Sequence, residues 1–375
     1  MEDIKMADEK ALYAKHKPEL DAAFSTVMEQ LAFEDGPHLQ QFAQTLQQYL
    51  QVPLAIPCAS GVAALQLALL TLDLKAGAEV ILPAFSYEAG AEVVSRLGLL
   101  PVFADVLPDT FTLDPVAVER ATTAATAVIV PVHLFGQCAD MDAIMAFAQQ
   151  HQLYVVEDAT QALGATFKRR GEQVRQAGSI GHMGITSFFS AKPFGGVGDG
   201  GALLIKDKSL AEKAANLLRY DQTGAAGLVA DAKLENLQAA LLDVKMKYLT
   251  EYHEGRKKVV AFYDRAFAEV AKVQVSAVSP ESNRVYQQYT IKVPSKLRDG
   301  LQQYLRDNFV PSVVYYPQPL HRNNNFAYVG YQPGDFPVAE SLSQSLLSLP
   351  LHAGLKEDQL AYICQHVKTY VKQNA

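Results

Sequence analysis

Cysteine is scarce in this chain of 375 residues: Cys58, Cys138 and Cys364 are three in all, far apart and without a Cys-x-x-Cys pair. That supports neither a disulfide framework nor a zinc site, and it fits a reducing compartment. No apolar run reaches the roughly 20 residues that span a bilayer. Neither sign of charge dominates: 33 basic against 40 acidic residues leave a net charge of −7, with no basic surplus for nucleic acid or an anionic membrane. The opening Met1-Glu-Asp-Ile-Lys-Met-Ala-Asp-Glu-Lys10 is charged and has no apolar signal core, so a cytoplasmic location is expected. Internal repeats, low-complexity stretches and flexible linkers are also absent. There is no Gly-x-x-x-x-Gly-Lys-Ser/Thr loop for a nucleotide triphosphate. Gly196-Val-Gly-Asp-Gly-Gly201 does contain Gly-x-Gly-x-x-Gly, but Ala202-Leu-Leu-Ile205 after it reads as a strand, whereas a dinucleotide fingerprint must open a helix. His133, His151, His182 and His253 are scattered singly and propose no metal site.

What is present is an α/β pattern. From Leu54 to about Ile205 short apolar strands alternate with helical stretches, as in a sheet built of βαβ units; Gly136 to Gln150 supplies one crossover helix. The pattern then changes. Leu234, Leu237, Leu241, Val244 and Tyr248 make a helical stripe, and a second helical pattern runs from Val260 to Ala271. Strands are expected at Tyr286–Val293 and Val313–Pro317, with a helix at Leu297–Phe309 between them. The expected organisation is a large, mostly parallel sheet domain over 1–250, with an N-terminal helical segment, and a smaller α+β domain over 251–375.

Within this pattern Lys192 carries the most information. It lies in the run Ile185-Thr-Ser-Phe-Phe-Ser-Ala-Lys-Pro-Phe-Gly-Gly196, among aromatic, small and apolar residues, read as a strand end followed by a glycine-rich turn. Apolar surroundings favour neutral lysine, and only the neutral amine is a nucleophile able to form a Schiff base with an aldehyde cofactor. A lysine in a turn is ordinarily just exposed; its companions set this one apart. Asp158 ends the apolar strand Tyr154-Val-Val-Glu-Asp158, where ligands of open α/β sheets lie, and a carboxylate there can pair with a protonated pyridine nitrogen. It could equally be a helix cap. Ser60 and Gly61 lead a short strand into the helix beginning Val62-Ala63-Ala64, whose unpaired amides can take a phosphate, unless Ser60 is simply an N-cap. Val80-Ile-Leu-Pro-Ala-Phe-Ser-Tyr87 brings aromatics to a loop, where one could stack on a flat ring or merely join the core.

Taken in order, these segments resemble the DegT/DnrJ/EryC1/StrS family of sugar aminotransferases, of the fold-type-I pyridoxal phosphate class. The resemblance runs over nearly the whole length, through Gly36-Pro-His-Leu-Gln-Gln-Phe-Ala43, Ser60-Gly-Val-Ala-Ala-Leu65, Pro131-Val-His-Leu-Phe-Gly-Gln-Cys-Ala-Asp-Met-Asp142, Glu157-Asp-Ala-Thr-Gln161, Ser187-Phe-Phe-Ser-Ala-Lys192, Gly198-Asp-Gly-Gly201 and Leu237-Gln-Ala-Ala240. It implies a Schiff-base and proton-shuttle role for Lys192, a pyridine-nitrogen partner in Asp158 and a ring contact from Gln161. It also implies a phosphate site made by Ser187 and the amides of Gly61, Val62 and Ala63, and a stacking position for Tyr87. The cofactor implied is pyridoxal 5'-phosphate, passing through pyridoxamine phosphate. The substrates implied are L-glutamate and a nucleotide-linked keto-sugar, and the assembly implied is a homodimer with a shared active site.

Three positions depart from the family pattern. Val62 stands where the family usually has threonine. Asp231 and Lys233 replace the asparagine and arginine of an Asn-x-Arg that reaches a neighbouring subunit's phosphate site in the family. An aspartate beside a phosphate dianion is repelled, so Lys233 or a nearby amide is expected to make that contact. Tyr315-Tyr-Pro-Gln-Pro-Leu-His-Arg322 resembles the Tyr-Pro-x-Pro-x-His segment of relatives that aminate 3-keto sugars, as does Gln238-Ala-Ala-Leu-Leu-Asp-Val-Lys245. Amination at C3 is therefore expected, with His321 and Tyr316 contacting the nucleotide sugar. Amination at C4 is the alternative, as is a non-catalytic regulatory protein on the same fold.

Overall fold

Short runs rich in Val, Ile, Leu and Ala, each closed by Pro, Asp, Ser or Gly, become strands buried on both faces, as a sheet with helices on either side requires. The computed structural model describes residues 3–168, 171, 173–221 and 233–374. Its main sheet contains β1 (Leu54–Cys58), β2 (Glu79–Pro83), β3 (Leu100–Ala104), β4 (Thr126–Ile129), β5 (Tyr154–Asp158), β8 (Met183–Ser187) and β9 (Gly201–Ile205). Their order is β1-β9-β8-β5-β4-β2-β3. Only β9 runs against the rest: it pairs antiparallel with both β1 and β8, while β8-β5-β4-β2-β3 are parallel throughout. Successive residues feed opposite cores, with Val156, Ile185 and Leu203 on one face and Ile81, Ile129 and Val155 on the other.

Register on β9 brings two distant segments together. Gly201 is paired with Cys58 on one side and Ser187 on the other. A Cβ on Gly201 would lie 2.5 Å from the Gly61 amide nitrogen, so glycine is what lets the helix Gly61–Thr71 start this close to β9.

A small antiparallel sheet of β6 (Thr166–Lys168), β7 (Val174–Gln176) and β11 (Ser282–Asn283) flanks this body. A third sheet, β10 (Gln274–Val275), β12 (Tyr289–Lys292) and β13 (Leu346–Leu349), packs on helices Leu249–Phe267, Ser295–Asp307 and Glu357–Asn374 around its own core of Val260, Tyr263, Ile291, Leu301, Leu347 and Ile363. Helix Leu249–Phe267 places Leu249 in a core beside β1 and β9 and Val259, Val260 and Tyr263 in that second core, so it ties the two together. N-terminal to all strands, helix Glu9–Gln30 packs on helix Asn236–Met246.

Two expected elements differ. The crossover helix begins at Met141 rather than Gly136, because Gly136 has φ +86° and Asp140 is the N-cap, its carboxylate accepting from the Ala143 amide at 3.1 Å. Val313–Pro317 is not a strand: its ladder is the single bridge between Val313 and Ser348. No helix among the described residues is long and apolar enough to cross a membrane.

Candidate active site

The parallel strands β1, β2, β5 and β8 all end at one edge of the sheet, and the sequence-selected residues lie at or just beyond those ends. Such an edge is where open α/β sheets bind ligands. Asp158, the last residue of β5, is 1% exposed. Its Oδ1 accepts from the Thr160 amide at 3.0 Å and the Thr160 hydroxyl at 2.6 Å, and its Oδ2 accepts from the Tyr87 hydroxyl. Hydrogen bonds to an ionised group contribute about 1.5–3 kcal/mol each, so the carboxylate is fixed in orientation. Burial, then the neighbouring Asp158 charge, pushes the Tyr87 hydroxyl well above the ordinary phenol range, so it remains a donor.

Lys192 is not at the strand end itself. It follows β8 by five residues, in a turn closed by its amide donating to the Phe189 carbonyl at 2.8 Å. Burial holds its ammonium below the ordinary lysine pKa, while the Asp158 carboxylate acts in the opposite direction. With Thr160, Gln161 and Ser187 it lines one cavity. Gln161 is pinned from both ends: its Oε1 accepts from the Phe135 amide at 2.9 Å and its Nε2 donates to the Tyr316 hydroxyl at 3.1 Å. Tyr316 packs edge-on to Phe85.

The helix start at Ser60 meets this cluster from β1. A Cβ built on Gly61 would fall 3.1 Å from the Ser187 Cβ and 3.2 Å from Thr160 Cγ2, which is the close approach of a cradle rather than of an ordinary cap. Ser60 is the N-cap of this helix, its hydroxyl accepting from the Ala63 amide at 3.0 Å. Val62 is exposed on the first turn of the helix.

His321 has a fully buried side chain; its Nε2 is bound to Glu340 Oε1 at 2.9 Å and its ring packs on Phe336. Glu340 in turn accepts from the Gly334 amide at 2.7 Å. In this arrangement the ring braces the loop after Tyr316, and its Nδ1 has no partner among the described residues. Lys233 bridges to Cys58 in the backbone and its ammonium lies 3.5 Å from Asp35; Asp231 lies outside the described residues.

Behind Asp158 is a network that reading the chain residue by residue does not single out. Glu157, fully buried, accepts from the amides of Gly178 at 2.9 Å, Ile180 at 2.6 Å and Gly181 at 2.6 Å. His133 Nδ1 accepts from the Ala139 amide at 3.1 Å, so the ring proton sits on Nε2 and is donated to Glu157 Oε2 at 2.8 Å. Thr160 was likewise detectable only as the residue two beyond an aspartate, the spacing of an Asx turn.

The residues present fit a flat, phosphate-bearing aldehyde cofactor. A desolvated amine, an anchored carboxylate and a glycine cradle against a serine hydroxyl occupy one edge of the sheet. Comparison with known proteins agrees. The sequence profile of the DegT/DnrJ/EryC1/StrS aminotransferase family matches residues 15–368. The chain is 37% identical, over the full length of both, to a protein of Geobacillus stearothermophilus named "Pleiotropic regulatory protein". It is 34% identical to the UDP-2-acetamido-2-deoxy-3-oxo-D-glucuronate aminotransferase of Pseudomonas aeruginosa, over 96% of this chain and 98% of that one. Its structure is similar to that of DesV of S. venezuelae, solved in complex with a ketimine intermediate, with a TM-score of 0.92 at 32% identity and 99% of each chain covered. This chain therefore belongs to the DegT/DnrJ/EryC1/StrS aminotransferase family, a pyridoxal phosphate-dependent family of fold type I.

Proposed function

We propose that this chain transfers an amino group from L-glutamate to a nucleotide-linked keto-sugar, at C3 of the sugar, with Lys192 as the attachment point of the cofactor. The observation that carries the reading is that Lys192 lines one cavity with Thr160, Gln161 and Ser187 at the carboxyl edge of a mostly parallel sheet, where Thr160 anchors the Asp158 carboxylate. Pyridoxal phosphate, when bound, supplies an electron-accepting ring able to take the amino group from the donor and give it to the sugar.

The chain's own residues divide the remaining work. Asp158, held by Thr160, would pair with the protonated ring nitrogen and keep it charged. Lys192 Nζ takes the proton from the donor carbon and returns one to the sugar carbon, a role that its lowered pKa suits. Gln161 would contact the bound ring on the side of its phenolic oxygen, and Tyr87, whose hydroxyl donates to Asp158, would stack on it. The Ser187 hydroxyl and the amides of Gly61, Val62 and Ala63 hold the phosphate. Val62 adds no hydroxyl there, which leaves Ser187 as the main side-chain donor. Tyr316, tied to Gln161, links the ring site to the loop that His321 and Glu340 brace, and Tyr316 and His321 are the residues assigned to contact the sugar.

The 3-oxo substrate in the name of the P. aeruginosa relative supports C3 over C4. A homodimer with a shared site is supported by an apolar groove. Phe24, Val197, Leu237 and Leu241 line it together with Lys192, and Phe24 and Val197 are well exposed. Exposed apolar surface of this kind marks an interface, and a monomer mass in light scattering would contradict it. In a homodimer Lys233 or a nearby amide is assigned to reach the partner's phosphate site. The name of the G. stearothermophilus relative favours a regulatory protein instead; the retained Lys192–Asp158 pair weighs against that. Purified holoenzyme should aminate nucleotide 3-keto-sugars with glutamate. Turnover of 4-keto isomers alone would move the reaction to C4, and a protein that binds cofactor yet turns over no keto-sugar would favour the regulatory reading.

A further inference from the structure

A second cavity opens onto the site at Lys192. Tyr252, Arg256, Gln287, Gln288, Tyr315 and His352 line it, and it shares Lys192, Pro193 and Gln287 with the cradle described above. Arg256 comes from helix Leu249–Phe267; its Nε donates to the Tyr286 carbonyl at 2.6 Å and its Nη2 to the Gln287 carbonyl at 2.7 Å. A guanidinium has five N–H donors in a planar fork, so most of its hydrogen-bonding capacity is left over. Burial pulls its pKa to about 10, and no carboxylate among the described residues offsets its charge.

The two carboxylates at the same cavity are otherwise engaged. Glu251 is paired with Lys15, and Asp8 caps helix Glu9–Gln30 through the Ala11 amide at 3.3 Å with Lys5 at 3.8 Å. Four polar atoms on the wall have no partner among the described residues: the hydroxyl of Tyr252, itself 5% exposed, Gln288 Oε1 and both ring nitrogens of His352. A buried donor left unpaired costs about 1–3 kcal/mol, so such atoms point to a ligand that completes them. The lining thus has a cation and a hydroxyl to give to an anion, and an amide oxygen to give to a donor, one wall away from the reacting amine.

We infer that this cavity is the carboxylate subsite of the amino-acid donor, with the free edge of the Arg256 guanidinium and the Tyr252 hydroxyl gripping one carboxylate group. The inference rests on the transaminase reading above. A carboxylate drawn out of water needs a charged, hydrogen-bonding partner, and a fork already pinned at two points to the backbone loses little freedom on gripping it. Because Arg256 holds the backbone at Tyr286 and Gln287, carboxylate binding is coupled to the wall that carries Gln287 and Gln288. If Arg256 serves only as that backbone pin, the cavity has no preference for acids.

Two measurements on the holoenzyme test this. In single turnover with L-glutamate, followed by cofactor absorbance, Tyr252→Phe should raise the apparent Kd about tenfold, the loss of roughly one hydrogen bond to a charged group. Arg256→Gln should raise it about thirtyfold or more, while the KM for the keto-sugar in the second half-reaction changes less than about twofold. Unchanged glutamate affinity in Tyr252→Phe, or a shift confined to the sugar KM, overturns the inference. Tyr252→Phe removes only an unpartnered oxygen, so the test survives if Arg256→Gln does not fold. The second measurement is calorimetric titration with glutarate, which carries carboxylates and no amine. It should bind wild type and weaken about tenfold in Tyr252→Phe, and no binding to wild type overturns the subsite. Glutarate binding to a protein that no amino acid can convert overturns the transaminase reading and leaves the carboxylate subsite standing.

Discussion

Lys192 and Asp158 act on each other through their charges. Burial favours the neutral amine; the carboxylate favours the charged one; burial is the larger effect. The amine of Lys192 in the cofactor-free protein should therefore react with acetic anhydride with a midpoint below the ~10.4 of an ordinary lysine. Replacing Asp158 by Asn removes the opposing charge, so the midpoint should fall further. Peptide-resolved labelling against pH checks both, and a midpoint that rises in Asp158→Asn contradicts the stated balance. The same variant should slow transamination far more than it weakens cofactor binding, since an amide cannot stabilise a charged ring nitrogen.

At the scale of elements, the site is carried by strand ends, and this explains what could be read from the chain. Asp158, Ser187 and the Ser60–Gly61 turn each close an apolar run, so local pattern places them, and Lys192 is marked by the aromatic and glycine-rich company on either side of it. Glu157 and His133 are invisible to such reading, because their partners lie 21 to 24 residues apart in sequence or in a separate turn. The burial of His321 is equally illegible: Glu340, 19 residues on, and Phe336 decide it, and nothing near residue 321 announces either contact. The Glu157 carboxylate binds three amides and an imidazole at the base of β5. Glu157→Gln turns one acceptor oxygen into a donor facing N–H groups, and breaking a buried polar cluster in this way costs about 3 kcal/mol. A drop of that order in urea unfolding is expected, together with slower turnover as Asp158 loses its support. A wild-type midpoint would mean that the 178–181 turn holds itself.

Across the whole molecule, the alternation of strands and helices to Ile205 was legible because the buried sheet demands near-continuous apolar runs, and the structure places seven strands there in one sheet. The later part was less so: Val313–Pro317 has strand composition but pairs at one residue only, a matter of what lies beside it. The two cores, joined by helix Leu249–Phe267, lie on either side of the cavity that contains Lys192, Arg256 and Leu349. Everything assigned to this chain passes through one bond, between Lys192 Nζ and the cofactor. Borohydride reduction of the purified holoenzyme, followed by digestion and mass spectrometry, reads that bond directly. The expected result is the reduced cofactor's mass on the peptide bearing Lys192 and its complete loss in Lys192→Ala; cofactor mass on any other lysine, or none in a protein that binds the cofactor, contradicts the account.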